Sequence, residues 1–235
     1  MAPAASVFRH RIATRLWHWI NAVALIVLVG SGLGISNAHP RLYWGNYGAN
    51  WDASWWDLPR FPAWLTIPAS YNLAISRRWH LFFALVLAFG LLAFMVVSLL
   101  NRHFRRDLGV RRGELTAAHM AVEVRDHWNF RFHDPEHPRR YNTLQKLSYI
   151  AVLFGLLPLV IATGLALSPG MNAAWPWLLD LLGGRQSARS IHFLCMIALV
   201  AFTVVHLVLV ILAGAWNEVR SMLTGRWRVP EERAA

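Results

Sequence analysis

Four long apolar stretches alternate with polar segments along the chain, at residues 17–36, 80–100, 147–167 and 191–215. Each holds about 20 residues or more, and an α-helix of that length, rising about 1.5 Å per residue, crosses about 30 Å of hydrocarbon. Pro158 and Gly164 interrupt the third stretch, which a membrane helix tolerates better than a soluble one. The pattern predicts an all-α integral membrane protein whose single domain, residues 1–235, is a bundle of four transmembrane helices.

Two shorter features modify this picture. The apolar segment at residues 175–182 is too short to cross a membrane and predicts a helix lying in the membrane interface. The first stretch ends at Ser36, and the sequence Ser36-Asn37-Ala38 resembles a signal-peptide cleavage site. Its length exceeds that of a usual signal segment, and it carries a histidine with a predicted function. We therefore expect it to remain as the first membrane helix.

Charge and composition fix the orientation and exclude several classes of protein. The 235 residues are 56% hydrophobic and only 15% charged, whereas soluble domains carry about a quarter charged residues. With the N-terminus in the cytoplasm, seventeen of the 23 basic residues fall inside and six outside, which predicts that both termini are cytoplasmic. This topology explains the net charge of +11, so we expect no nucleic-acid partner. The single Cys195 excludes a disulfide framework, a cysteine zinc site and an iron–sulfur cluster held by this chain alone.

Four of the eleven histidines fall inside the apolar stretches or at their edges: His18, His80, His192 and His206. Ionisable side chains at membrane depth are costly and are functional candidates. His192 and His206 are fourteen residues apart, which places them on one helix face about 21 Å apart along the axis. His80 lies at the depth of His192, and His18 at the depth of His206. The spacing predicts two facing pairs, His18/His206 and His80/His192.

A pair of facing imidazoles inside a helical bundle is the ligand set of a six-coordinate b-type haem. Zinc or copper would usually need further ligands, and no intramembrane Asp or Glu supplies them. The four histidines therefore predict two haem b groups and electron transfer, because filled axial positions disfavour oxygen binding. Gly32 would lie at the depth of His80 and His192. There it lets a haem edge approach the backbone or, with Gly30 and Gly34, allows close helix packing.

Several segments carry a resemblance to a known family: RLWHWIN at residues 15–21, NAHPRLYWGNYGAN at 37–50, RRWH at 77–80, RRYNTLQKLSY at 139–149, TGLALSPGM at 163–171 and GGRQSARSIHF at 183–193. With them the chain resembles the cytochrome b561 superfamily, in particular thiosulfate-reductase-like cytochrome b subunits. It is also similar to the b-type cytochrome subunits of formate dehydrogenase and nickel–iron hydrogenase. The resemblance implies that His18 and His206 ligate a cytoplasmic-side haem, and that His80 and His192 ligate an outer one.

The resemblance also implies partners and a location. Such subunits lie in the bacterial inner membrane, contact lipid, exchange electrons with quinone or quinol, and often accompany a periplasmic molybdopterin oxidoreductase. We therefore expect a multi-pass, dihaem cytochrome b that transfers electrons between the quinone pool and a partner enzyme. Whether the chain itself catalyses quinone chemistry stays open. The alternatives are a self-sufficient cytochrome b561-type quinol oxidase and, in another class, a haem-free membrane anchor or transporter.

Four further groups of residues each allow two interpretations. The tryptophans between the first two spans form either an aromatic belt or a docking platform for a partner. The outer arginines Arg77, Arg78 and Arg189 either anchor the chain at the interface or bind haem propionates. Asn142, Gln145 and Lys146 either cap a helix or face a quinone headgroup. The HDPEH segment at residues 133–137 is interpreted as a solvated loop rather than a zinc site.

Overall fold

The structure, a computed structural model, describes residues 6–49, 51–102, 104, 106, 108–128 and 142–229. Four helical segments are long and apolar enough to cross a membrane, as predicted: Ile12–Ala38, Leu73–Leu100, Thr143–Leu167 and Arg185–Leu212. The HDPEH segment lies outside the described residues, so its interpretation stays a prediction.

Helices make up most of the described elements of the chain. The helices are α1 (Ile12–Ala38), α2 (Leu73–Leu100), α3 (Ala117–Trp128), α4 (Thr143–Ile150), α5 (Leu157–Leu167), α6 (Pro169–Ala174), α7 (Trp177–Leu181), α8 (Arg185–Leu212) and α9 (Ala215–Thr224). The strands, which the all-α prediction lacked, are β1 (Ser6–Phe8), β2 (Arg41–Leu42), β3 (Trp56–Asp57) and β4 (Arg226–Arg228). Helix α7 falls within the predicted short helix, and its place in the membrane interface stays a prediction.

Several predicted boundaries of the spans differ from the structure. Helices α1, α2 and α8 begin at Ile12, Leu73 and Arg185, before their apolar stretches, because helical hydrogen bonding continues through polar residues. The prediction that the fourth span reaches residue 215 is wrong, because α8 ends at Leu212. Gly214 has φ +102°, a left-handed conformation that stops a helix, and α9 starts directly after it.

Pro158 perturbs the third span as expected, while Gly164 leaves it continuous. A proline lacks the amide N–H that would bond four residues back, and its ring crowds the carbonyl there. A π-helical turn at Ala151–Leu156 comes just before Pro158 and separates α4 from α5. Such wider turns are a recognised way of absorbing a local break in a helix. Gly164 lies inside α5, where it contacts another helix.

The chain forms two compact units, of which the first contains both ends of the described chain. This terminal unit comprises the described residues of Met1–Trp19, Leu92–Val152 and Phe202–Ala235. Strands β1 and β4 pair antiparallel within it, with Val7 opposite Trp227. The Trp227 side chain is buried and donates its Nε1–H to Glu218 Oε1 at 2.9 Å. Glu218 also accepts a hydrogen bond from Arg9 at 3.5 Å, which ties the two terminal segments together.

Polar residues at the start of α4 cap that helix. The Asn142 Oδ1 atom accepts the Gln145 amide at 2.8 Å, and Glu123 accepts the amides of Thr143 and Leu144 at 2.9 and 3.0 Å. Burial by itself would raise the pKa of Glu123, but these hydrogen bonds hold it below its usual range. Lys146 donates to both carboxylate oxygens of Glu114, at 2.9 and 3.0 Å. The described contacts of Asn142, Gln145 and Lys146 are therefore those of helix capping and an ion pair.

We expect His10 to make the terminal unit sensitive to mild acid. Burial, and next the positive charge of Arg9, lowers the pKa of His10 to about 4, whereas an unfolded histidine titrates near 6.5. The unfolded chain therefore binds the proton first, so stability is complete above about pH 6.5 and declines as the pH falls towards 4. The difference between the two pKa values corresponds to about 3 kcal/mol of unfolding free energy.

Unfolding of the detergent-solubilised protein between pH 7 and pH 4 measures this effect. The variant His10→Phe keeps an aromatic ring of similar size but has no titrating group. Its stability should change less with pH than that of the wild type, by about 3 kcal/mol across this range. Equal pH dependence of the two proteins would contradict the role of His10.

The second compact unit, the central unit, comprises Ile20–Leu91 and Leu153–Ala201. Within it the segment that follows α1 is bound to the first turns of α8. The carbonyl of Gly45 accepts the amides of Gln186 and Ser187 at 2.9 and 3.2 Å, and the Gly45 amide donates to Ser187 Oγ at 2.7 Å. Arg189 donates to the carbonyls of His39 and Arg41. These bonds fix the N-terminal end of the helix that carries His192.

The tryptophans of this segment differ in their contacts and in their exposure. Trp55 donates to Ser190 Oγ at 3.0 Å, and Trp56 packs edge-on against Phe193 with ring centroids 5.7 Å apart. By contrast, Trp51 is 94% exposed and Trp64 is 76% exposed. Trp55 and Trp56 are themselves 38% and 39% exposed, so these packed tryptophans also present part of their surface to a membrane or to a partner.

Candidate haem-binding sites

In the terminal unit the structure brings His18 of α1 beside His206 of α8. Their ring centroids are 6.2 Å apart, and the ring planes make an angle of 61°. Aromatic side chains flank both imidazoles: Phe202 stacks on His206 at 6.1 Å, and Trp19 meets His18 edge-on at 5.1 Å. This packing limits how far either ring can turn.

In the central unit His80 of α2 lies beside His192 of α8 in nearly the same geometry. The ring centroids are 6.1 Å apart, and the interplanar angle is 64°. The fourteen-residue spacing on α8 thus assigns one imidazole to each pair, and α1 and α2 supply the two facing rings. All four histidines predicted from the sequence are brought into the two predicted pairs, while their role as ligands stays a prediction.

The separation within each pair suits one metal ion held between two imidazoles. An imidazole nitrogen lies about 2.0 Å from a bound metal such as zinc, so two such bonds and two ring radii span about 6.4 Å. The observed 6.1 and 6.2 Å agree with this value. Within the described residues no three His, Cys, Asp or Glu side chains are grouped so that they could hold a metal ion. A two-imidazole set fits a haem, whose macrocycle supplies the remaining four nitrogen ligands.

Two hydroxyl groups contact the central pair, and the sequence analysis missed both. Ser31 Oγ lies 3.0 Å from His80 Nδ1, and Thr163 Oγ1 lies 2.9 Å from His192 Nδ1. Ser31 and Thr163 are each 0% exposed. In the sequence each stands directly before a glycine inside an apolar stretch, as Ser31-Gly32 and Thr163-Gly164. That repeated dipeptide was the available signal.

The glycines of α1 have different neighbours, which separates the two interpretations left open above. A Cβ atom on Gly32 would lie 3.5 Å from Cε1 of His80, so this glycine faces the candidate site. Gly30 and Gly34 instead lie against Ile67 and Ser76, where a Cβ atom would approach within 2.7 and 2.5 Å. These two glycines allow close packing of neighbouring segments.

Gly164 repeats the arrangement of Gly32 on the other side of the central pair. A Cβ atom on Gly164 would lie 3.3 Å from Cε1 of His192. Each imidazole of this pair therefore has a glycine at its Cε1 edge and a hydroxyl at its Nδ1 atom. In the terminal unit, by contrast, the Nδ1 atom of His18 is buried and has no hydrogen-bond partner among the described residues.

Comparison with known proteins decides the family. The family described as prokaryotic cytochrome b561 matches residues 9–225, a range that includes all four histidines. The chain belongs to the prokaryotic cytochrome b561 family. Membership implies a b-type haem, which is the cofactor that the two-imidazole geometry fits.

Curated relatives of this cytochrome b561 family member carry the names of subunits of redox enzymes. YedZ1 of Azospira oryzae, named as a protein-methionine-sulfoxide reductase subunit, is 29% identical over 84% of this chain and 87% of its own length. Relatives named as Ni/Fe-hydrogenase B-type cytochrome subunits occur in Cupriavidus necator and Azotobacter vinelandii. Both are 24% identical, over 94% and 95% of this chain and 86% and 89% of their own lengths. No solved structure matches the chain significantly.

Proposed function

We propose that this protein is a dihaem cytochrome b that transfers electrons between the quinone pool and a partner oxidoreductase. His80 and His192 hold one haem, and His18 and His206 hold the other. The proposal rests on the two imidazole pairs. In each pair the distance between the ring centroids suits one metal ion bound between the two rings. Two such pairs within one family-matched chain support two haems rather than one.

The chain's own contribution is to hold four imidazole rings in place. A b-type haem with two imidazole ligands accepts and releases single electrons and leaves no iron position for oxygen. At the central pair, hydroxyl groups orient both rings and glycines leave room at their edges. At the terminal pair, aromatic packing against His18 and His206 restricts the rings instead.

We further propose that the protein lies in the bacterial inner membrane with both termini in the cytoplasm. Seventeen of the 23 basic residues then face the cytoplasm, in agreement with the positive-inside rule. In this orientation the His18/His206 pair is near the cytoplasmic surface and the His80/His192 pair is near the periplasmic surface. The sequence positions of the histidines at the two ends of the spans support this assignment.

A periplasmic oxidoreductase subunit, of the molybdopterin class, is the partner that we propose. The relatives are named as a subunit of a protein-methionine-sulfoxide reductase and as B-type cytochrome subunits of Ni/Fe hydrogenases, and names of subunits of redox enzymes support a partner that carries the catalytic site. A quinone or quinol dissolved in the membrane is the second molecule with which this protein exchanges electrons.

Haem content and quinol oxidation test the proposal. Full-length protein purified in detergent should show a reduced-minus-oxidised haem b spectrum with about two haems per chain, because two ligand pairs are present. A quinol analogue should reduce these haems, and sustained turnover should need the partner enzyme. A colourless preparation from cells well supplied with haem would contradict the proposal that the protein binds haem. Fast quinol oxidation by the isolated protein would contradict the proposal that a partner enzyme is needed.

A further inference from the structure

From the contacts of the central unit we infer that Ser31 and Thr163 are positioning residues for the His80/His192 pair. They hold both imidazoles in the tautomer that carries its proton on Nδ1, so that each Nε2 is free to bind a metal. The same hydrogen bonds make these two imidazoles more basic ligands. The inference rests on the proposed function, because it assumes that this pair ligates a haem.

The Ser31 hydroxyl donates its proton to the backbone of its own helix. Ser31 Oγ lies 2.6 Å from the carbonyl oxygen of Val27 and 3.2 Å from that of Leu28. A carbonyl oxygen only accepts, and a hydroxyl group has one proton to donate. The contact of 3.0 Å between Ser31 Oγ and His80 Nδ1 is therefore one in which the imidazole donates.

Thr163 repeats this arrangement on a different helix. Its Oγ1 atom lies 2.9 Å from the carbonyl oxygen of Leu159 and 3.0 Å from that of Val160. The hydroxyl proton is thus committed to α5, and the contact of 2.9 Å with His192 Nδ1 again has the imidazole as donor. Because the same geometry recurs on two separate helices, it is a property of the site rather than of one residue.

The ring nitrogen that carries the proton decides which nitrogen can bind a metal ion. A neutral imidazole carries one proton, so a proton on Nδ1 leaves the lone pair of Nε2 unprotonated. Metal ions bind the neutral imidazole, and the hydrogen bond made by the other ring nitrogen sets which nitrogen is available.

The two histidine pairs differ in this respect. His18 Nδ1 is buried and has no hydrogen-bond partner in the described part of the chain, whereas both Nδ1 atoms of the central pair have a hydroxyl acceptor. A hydrogen bond from Nδ1–H to an acceptor raises the basicity of the ligating nitrogen. A more basic ligand favours the oxidised iron, so removal of the hydroxyls should raise the reduction potential of this haem alone.

The test compares full-length Ser31→Ala, Thr163→Val and the double variant with the wild type. Two measurements are made: a redox titration of the haem b absorbance, and the rate of haem transfer to apomyoglobin. We expect one haem to shift to a higher potential and to dissociate about 10–100-fold faster, the range typical of lost ligand-orienting contacts. The other haem should keep its potential and its dissociation rate.

Conservative and matched variants separate positioning from packing. Ser31→Thr and Thr163→Ser keep the hydroxyl and should restore the wild-type potential. Ser76→Ala removes another fully buried serine of the same unit, which faces Gly34 rather than an imidazole, and should change neither haem. If the double variant does not accumulate, each single variant carries the same prediction with a smaller shift.

Three outcomes would overturn the inference while leaving two haems in place: unchanged potentials in the alanine and valine variants, equal shifts of both haems, or failure of the hydroxyl-retaining variants to restore the potential. Failure of the proposed function is distinguishable, because the wild-type protein would then contain fewer than two haems before any substitution is made.

Discussion

Replacing His192 by leucine should lower the haem b content of the purified protein from about two to about one per chain. The substitution removes one imidazole from a pair whose ring centroids are 6.1 Å apart, so the haem of that pair loses an axial ligand. The His18/His206 pair is unchanged and should keep its haem. Haem quantified per mole of chain, together with the reduced-minus-oxidised spectrum, measures the result.

His39→Leu is the matched control for this substitution. His39 is an exposed histidine of the same unit, and its described role in the loop is made through its backbone carbonyl. This variant should retain about two haems. Retention of both haems by His192→Leu would contradict the assignment of His192. Loss of both haems by a well-folded variant would contradict the expectation that the His18/His206 pair keeps its haem when the other pair loses one ligand.

Gly164→Val should weaken haem binding at the same pair without removing a ligand. A Cβ atom at position 164 would already lie 3.3 Å from His192 Cε1, and the two methyl groups of valine extend further. The imidazole has to move, and overpacking of this kind costs about 1–3 kcal/mol. We expect about a tenfold or larger loss of haem affinity at this pair, measured by haem content after washing and by haem transfer to apomyoglobin.

Gly155→Val provides the control in the same membrane span. A Cβ atom on Gly155 would meet nothing within 4 Å, so valine fits there and both haems should stay bound. Gly164→Ala, which adds only the Cβ atom, should have an intermediate effect. If Gly164→Val kept both haems at wild-type affinity, the glycine would not be needed for the position of His192.

Much of the candidate site follows from the sequence because helical geometry is regular. The apolar stretches mark the four spans, and a fourteen-residue spacing puts His192 and His206 on one face of α8. Matched depths then suggest which histidines meet. No contact between residues distant in sequence had to be known for this step, since depth in a membrane is set by distance along each helix.

The hydroxyl contacts follow a different rule and were missed. Ser31 and Thr163 read as minor polar interruptions of apolar stretches, and their partners His80 and His192 lie 49 and 29 residues further along the chain. Whether such a hydroxyl meets an imidazole depends on the rotation of each helix about its axis. Packing sets that rotation, and the hydropathy pattern indicates only the apolar character of the span.

The segment after α1 gives a second example. Its tryptophans, and the outer arginine Arg189 of α8, suggested either interfacial anchoring or contacts with other molecules. In the structure Arg189 donates to backbone carbonyls of His39 and Arg41, and Trp55 donates to Ser190. Two of these partners are backbone carbonyls, which every residue has, and the third is a serine 135 residues away along the chain, so composition could not indicate them.

The sequence by itself determined the four apolar spans and the four histidines, because both depend on local composition and on helical spacing. Only the tertiary structure decided how each ring is held: by Ser31 and Thr163 in the central unit, and by aromatic packing in the terminal unit. It also decided that Gly32 faces an imidazole while its neighbours Gly30 and Gly34 face other segments. These outcomes depend on contacts between residues distant in sequence, and such contacts are set by the packing of whole helices.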